Sequence, residues 1–321
     1  MAHHNNKFVL LGLLLVSTSF GQDAIPQPQT PLPWAYGLNT PNLGLAAPSG
    51  PKRVPDSQLE FTFPRDRFSP PDWHPQDHPE MPVVVAKGRE PNVFACGYCH
   101  LPDGQGRPEN ASLAGLPASY IEQQLADYRA GLRKSSEPQM TPPSLMQAVG
   151  LNASLEEAAA AAAYFASLTP RPWIKVIETE TVPETVVSGW MYIEKPGGGS
   201  EAIGNRILEM PVDLERTELR DSHSSFLAYV PIGSVARGKA LASGQDGKTR
   251  PCAYCHGETL QGLGPVPRLA GRSPSYIARQ LYDLKTGNRK GLWSPLMAEV
   301  VADLTPEDIV AIAAYTASLA P

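Results

Sequence analysis

The sequence predicts a mainly α chain of two tandem helical domains, with a Pro-rich extended arm in front and a small β-like segment between them. Three observations predict this. A short cysteine motif occurs twice, the residues after it repeat at a fixed offset, and proline is unevenly distributed. Proline makes up 34 of 321 residues, about twice the ordinary roughly 5%, and 14 of them fall in residues 22–82. The length suits about two domains. With 42% hydrophobic and 18% charged residues, wholesale disorder is excluded. The net charge of −5 and the lack of a long basic run exclude nucleic acid as an expected partner.

Residues 1–21 read as a signal peptide. Lys7 precedes an apolar run over residues 8–16, and the small residues Ser19 and Gly21 suit cleavage before Gln22. The competing reading, an uncleaved anchor, meets a run far short of the ~20 apolar residues a bilayer span needs. The expectation is therefore an exported, periplasmic protein that is not an integral membrane protein. Residues 22–82 interleave prolines with Trp34, Tyr36, Phe61, Phe63, Phe68 and Trp73. Such a composition cannot build a helical domain, and its aromatics predict an arm packed along the domains rather than a free tether.

The first domain, residues 83–170, carries Cys96-Gly97-Tyr98-Cys99-His100; the second, residues 232–321, carries Cys252-Ala253-Tyr254-Cys255-His256. All four cysteines are used. Two thiols three positions apart can each add to one vinyl group of a haem, and the following His presents its imidazole to the iron. A single zinc site built from all four cysteines would leave both histidines unexplained across a gap of 156 residues. A thioredoxin-like pair needs a βαβ context, and structural disulfides require no His after each pair. Two covalently attached haem c groups are the expected cofactors.

The flanks repeat too. Leu113-Ala114-Gly115, Ser119-Tyr120-Ile121, Gln124-Leu125, Asp127 and Gly131 recur 156 residues later as Leu269-Ala270-Gly271, Ser275-Tyr276-Ile277, Gln280-Leu281, Asp283 and Gly287. Ser273 is an expected N-cap, Pro274 the first helical residue and Gly287 the stop, with Tyr276, Ile277, Gln280, Leu281 and Leu284 on one face. Thr305 and Asp308 form a near capping box for the last helix, whose buried stripe is Ile309, Ile312, Ala313, Tyr315 and Leu319. Ser154 and Glu157 open the equivalent helix of the first copy, at an offset of 151.

Residues 83–169 and 232–320 resemble class I cytochrome c domains, and the pair resembles the di-haem cytochromes of the c-four type. The resemblance implies that the first helix of each domain crosses the last at a small residue against an aromatic: Gly238 with Tyr315, and Gly88 with Tyr164. It also implies a Pro-x-Leu-x-Gly segment beside the proximal His. This segment is present as Pro267-Arg268-Leu269-Ala270-Gly271, but the first domain has Ala111 in place of the proline. The sixth iron ligand would be a Met shortly before the last helix: Met297 in the second domain. In the first, counting back 151 residues selects Met146 over Met140, with an imported His or an open site as the remaining options. Gly88 lies 8 residues before Cys96, whereas Gly238 lies 14 before Cys252, so the first helix or its loop is shortened.

Residues 171–231 hold β-like runs at 173–177, 185–187, 190–193, 207–210 and 226–230, with Gly197-Gly198-Gly199 as a turn. His74, His78 and His223 lie outside the repeats and read as surface or hydrogen-bonding residues. The expected function is single-electron transfer between redox partners, a protein donor and a protein acceptor, through two His/Met-ligated haems. Two alternatives stand beside it. One is a di-haem enzyme, peroxidase-like or thiosulfate-oxidising, with a displaceable ligand at the first haem. The other is a fixed electron-transfer subunit of a dehydrogenase or terminal oxidase.

Overall fold

The computed structural model describes residues 30–321 together with Met1. The expected signal peptide and its cleavage site lie outside these residues. From residue 30 onward the arm has little regular structure because its prolines withhold backbone donors. It is nonetheless packed. The first of its two described 3-10 segments, Pro33–Tyr36 (the other is Pro75–Asp77), buries Trp34 and Tyr36 in the second domain's core. Two short antiparallel strands follow, β1 (Gly50–Lys52) and β2 (Phe61–Phe63). Trp73 stands edge-on to Phe61 with ring centroids 4.7 Å apart, and its indole N–H donates to Leu219 O at 2.8 Å. Large side chains buried in this way each contribute about 2 kcal/mol, so the aromatics hold an otherwise irregular segment in place.

The first domain comprises α1 (Val83–Ala86), α2 (Cys96–His100), α3 (Ala118–Arg129), α4 (Thr141–Asn152) and α5 (Leu155–Ser167). Ser154 accepts from Glu157 N and the Glu157 side chain accepts from Ser154 N, so the capping box that opens α5 is complete. The expected pairing of Gly88 with Tyr164 does not form. With one turn only, α1 is too short to cross α5 there. Gly88 instead has φ +66 in the tight turn after α1, where an added Cβ would overlap Val93 O. Tyr164 donates its hydroxyl to Pro102 O at 2.7 Å.

Between the domains lie β3 (Ile174–Glu178), β4 (Thr181–Pro183), β5 (Thr185–Ser188), β6 (Met191–Glu194), β7 (Ser200–Ala202), β8 (Leu208–Pro211), α6 (Leu214–Glu218) and β9 (Phe226–Val230). They form a three-stranded sheet of order β3-β9-β8, parallel between β3 and β9, and two antiparallel pairs, β4 with β7 and β5 with β6. Along β9, Phe226, Ala228 and Val230 are buried and the residues between them half-buried, the alternation of a sheet with one covered face.

The second domain holds α7 (Ser234–Ala242), α8 (Ala253–His256), α9 (Pro274–Lys285), α10 (Ser294–Val301) and α11 (Pro306–Ser318). Ser273 accepts from Tyr276 N as the N-cap of α9, and Thr305 with Asp308 completes the box opening α11. Gly238 lies where α7 crosses α11; a Cβ there would overlap Ala311 O and fall 2.7 Å from Tyr315 Cβ. The buried surface of α11 is wider than one stripe. Val310, Ala311, Ala314 and Ala317 are buried besides Ile309, Ile312 and Ala313, while Tyr315 and Leu319 are half-buried. The sheet covers a face of α11 that helical periodicity alone assigns to solvent.

The two repeats meet about an approximate two-fold axis. Arg133 donates to Gln124 Oε1, Tyr276 Oη and Gln280 Oε1, each at 2.9 Å. Arg289, 156 residues on, donates to Gln280 Oε1, Tyr120 Oη and Gln124 Oε1 at 3.2, 3.0 and 2.9 Å. The backbone repeats the symmetry, with Lys134 N donating to Asn288 O and Lys290 N to Leu132 O, both at 2.8 Å. No helix among the described residues is long and apolar enough to cross a membrane.

Candidate functional site

Each Cys-x-x-Cys-His motif occupies one short helical turn, α2 or α8, which brings its two thiols and its imidazole to one side. Both histidines are buried. His100 Nδ1 lies 2.8 Å from Ala111 O, and His256 Nδ1 lies 2.7 Å from Pro267 O. A carbonyl oxygen only accepts, so in each ring Nδ1 carries the proton and Nε2 keeps its lone pair. The two carbonyls occupy the same repeat position, so the missing proline at Ala111 leaves this bond intact. Burial pushes the His100 pKa down to about 4 and lowers that of His256, keeping both rings neutral. The Nε2 of His256 is buried and has no hydrogen-bond partner. A neutral imidazole with a fixed tautomer and a bare, buried nitrogen is the donor a metal requires.

The first domain surrounds its motif with a cavity of about 340 Å³, whose walls include Cys96, Cys99, His100, Met146, Phe165 and Arg133. Burial raises both thiols, Cys96 to about 12, and Cys252 is raised to about 11. Such thiols are held protonated, the opposite of the activated thiolate that disulfide exchange needs. None of the four cysteines is paired in a disulfide.

The two candidate methionines of the first domain separate clearly. Met146 sits on α4 and faces the cavity. Met140, the N-cap residue of α4, is 1% exposed and packs in the second domain's core. Met297 is half-buried on α10 and packs against that same core, beside exposed Trp293 and Leu296. Met146 and Met297 each stand on the helix that precedes the last helix of their domain, α4 and α10. His74, His78 and His223 do not line the cavity.

Sequence reasoning missed two groups of residues. The first is the Arg133–Arg289 pair, although both fit the 156-residue repeat two positions past Gly131 and Gly287. The second is Arg268 and Arg272, which have no counterpart in the first copy. Both are buried and donate to Ser112 and its neighbours, and in each Nε has no partner. Burial, and then the neighbouring Arg272, push the Arg268 guanidinium down to about 9. Buried cations without a carboxylate partner are costly, and they suit an anionic group brought in from outside the chain.

The surroundings of the two motifs differ. In the first domain Ala95 N donates to Arg67 O of the arm at 2.9 Å. Arg220 of the β segment donates to Tyr98 O at 2.7 Å and stacks 3.7 Å above the Tyr98 ring. In the second domain Tyr254, at the same motif position, is 75% exposed and Cys255 is exposed.

Comparison with known proteins agrees with this geometry. Residues 239–315 match the family model described as cytochrome c oxidase, cbb3-type, subunit III. A cytochrome c-554(548) of Halomonas halodenitrificans is 41% identical over 78 residues, 24% of this chain and 93% of that protein. A cytochrome c4 of Azotobacter vinelandii is 27% identical over 230 residues, 70% of this chain and 84% of the relative. A thiosulfate dehydrogenase electron acceptor of Stutzerimonas stutzeri is 26% identical over 240 residues, 74% of this chain and 84% of that protein. With the duplicated motif and the paired helical domains, these matches settle the class: the chain belongs to the c-type cytochromes, as a di-haem electron-transfer member of the c-four type with two covalently attached haem c groups.

Proposed function

We propose that Cys96 and Cys99 hold the first haem and Cys252 and Cys255 the second, with His100 and His256 as proximal ligands and Met146 and Met297 as the sixth ligands. The observation that carries this reading is the matched pair of histidines, each with Nδ1–H on a backbone carbonyl and Nε2 uncommitted. When bound, haem supplies a one-electron Fe(III)/Fe(II) couple. The chain does the rest. The carbonyls of Ala111 and Pro267 orient the imidazoles and raise their basicity. The thioethers of Met146 and Met297 would serve as further iron ligands, and a thioether ligand raises the potential of the couple. The guanidiniums of Arg268 and Arg272, which have no carboxylate partner and a free Nε each, with Arg133 on the cavity wall, suit the haem carboxylates.

The chain so arranged is a periplasmic carrier with no substrate chemistry of its own, with a dehydrogenase as the donor and the first domain divided from the second at residues 171–231. The name of the Stutzerimonas relative supports a dehydrogenase donor. The test is to purify the protein from a host with c-type maturation, extract with acid–acetone, and add carbon monoxide to the reduced form. Both haems should resist extraction and neither iron should bind carbon monoxide. A first haem that binds it would replace the carrier with the di-haem enzyme.

A further inference from the structure

The arm and the β segment, neither of which resembles the haem domains, meet at a cluster of histidines and carboxylates. His74 is 1% exposed. Its Nε2 is 2.9 Å from Asp221 Oδ1, and that carboxylate is held from its other side by Arg216 Nε at 2.6 Å. Nε2–H therefore donates to the carboxylate, and in the neutral ring Nδ1 is left with a bare lone pair. That Nδ1 is buried and has no hydrogen-bond partner. Facing it, the His223 ring stacks on His74 with centroids 3.6 Å apart and planes 5° from parallel. His223 Nδ1 lies 2.9 Å from Asp56 Oδ2 and its Nε2 lies 2.6 Å from Asp77 Oδ2. One ligand atom each from Asp56, His74 and His223 lies within 4.8 Å of the other two.

We propose that Asp56, His74 and His223 form a binding site for a borderline divalent cation of the zinc type, separate from the haem irons. The arrangement around His74 has the order carboxylate–imidazole–vacant lone pair, the pattern by which an outer carboxylate fixes a metal-ligating histidine. Leaving a buried nitrogen without a partner costs about 1–3 kcal/mol, and nothing else nearby satisfies it. Two imidazoles and one carboxylate suit zinc, with water as the fourth ligand. Oxygen-seeking magnesium and calcium are poorly served by imidazole. Stacked rings present their lone pairs side by side rather than converging, so one ring must turn. His74 is pinned by Asp221, whereas the His223 side chain is 26% exposed and bonded only through its carboxylate partners and backbone, which makes it the ring that swings. As the cation enters, the Asp56–His223 hydrogen bond is replaced by two metal bonds and a proton leaves to solvent. Because Asp56 and His74 belong to the arm and His223 to the β segment, the cation would staple the two together.

The experiment uses the purified protein with both haems in place, freed of other metals by chelator. After equilibrium dialysis against zinc sulfate, zinc and iron are counted together by atomic emission. One zinc per two irons is expected, with a rise in the thermal midpoint and an unchanged haem spectrum. His223→Gln and Asp56→Asn, both at positions where the side chain reaches solvent, should each weaken binding at least about tenfold, and Asp221→Asn about 10- to 100-fold. Failure of the wild-type protein to take up stoichiometric zinc overturns the proposal. So does retention of wild-type affinity by His223→Gln, which would mark the uptake as adventitious, or displacement of the zinc by calcium.

Discussion

The two haem domains share a motif, a histidine–carbonyl bond and a helix capping box, yet they present their motifs to solvent in different ways. Arg67 and Arg220, from the arm and the β segment, cover the first. The second leaves Tyr254 and Cys255 exposed. The repeated part of the chain sets what each centre is, and the unrepeated part sets who can reach it.

The comparison breaks most easily at Gly238. Only the second domain has a long first helix crossing its last, and a Cβ at Gly238 would overlap a backbone oxygen that cannot move alone. Helix propensity favours Ala over Gly by about 1 kcal/mol, whereas forced overpacking costs about 3 kcal/mol. Gly238→Ala should therefore destabilise the second domain and leave the first intact, as read from the melting of each haem's spectrum. A stabilised variant would show that the helices do not cross there.

Next in size is the contrast between the two methionines of α4. Met140→Ala opens a cavity in a packed core and should lower stability by about 2–5 kcal/mol, with the first haem's midpoint potential unchanged. Met146→Ala should do the reverse, lowering that potential and admitting exogenous ligands. A potential shift from Met140→Ala alone, in a redox titration, would reverse the assignment. Met297→Ala should mirror Met146→Ala at the second haem.

A smaller effect is expected at the cover. Arg220→Ala removes both the bond to Tyr98 O and the stacked guanidinium, so a small inorganic reductant should reduce the first haem a few-fold faster by stopped flow. The second haem should be unaffected. Equal rates at both haems in the wild-type protein would remove the asymmetry altogether.

The smallest contrast lies in the helix caps. Glu157 and Asp308 occupy matching positions, and both carboxyls are held below their ordinary range. Glu157 is lowered first by the Arg89 hydrogen bond; at Asp308, burial acts upward and is outweighed by Thr305, Lys248 and Arg237, giving about 2. A depressed carboxyl stabilises the fold above its unfolded pKa, and that contribution fades as pH falls through the folded value. The cap of α11 should thus weaken between about pH 4 and pH 2. Asp308→Asn should flatten that acid transition in far-UV circular dichroism, and an unchanged transition would discount the cap.

Much of this was legible from residue order because it is local. The Cys-x-x-Cys-His turns, the Ser273, Thr305 and Ser154 caps and the strand runs all depend on spacing within a few turns of chain. Gly88 misled because its place was counted in residues, while a lead-in six residues shorter than that before Cys252 leaves no helix long enough to reach Tyr164. The covered face of α11 was invisible for another reason. The sheet that hides Val310 and Ala314 comes from strands some 80 or more residues earlier, and no periodicity inside a helix records what is laid upon it. His74 and His223 were singled out separately and Asp56 not at all; only the folded arm brings the three together.

The paired arginines carry a further consequence. Because every bond from Arg133 has a counterpart from Arg289, the contact between the halves is isologous, the kind by which identical subunits form a closed dimer. Here it is closed within one polypeptide. Tethering replaces a meeting of two molecules by an intramolecular one, at an effective concentration set by the span and stiffness of the segment over residues 171–231. Lengthening the tether weakens this only slowly, so a contact that would be weak between free partners remains shut. The same self-complementarity allows exchange. If the β segment is loosened, the first half of one chain can meet the second half of another through the same Tyr-Gln-Arg bonds, giving a swapped dimer with no interaction the monomer lacks.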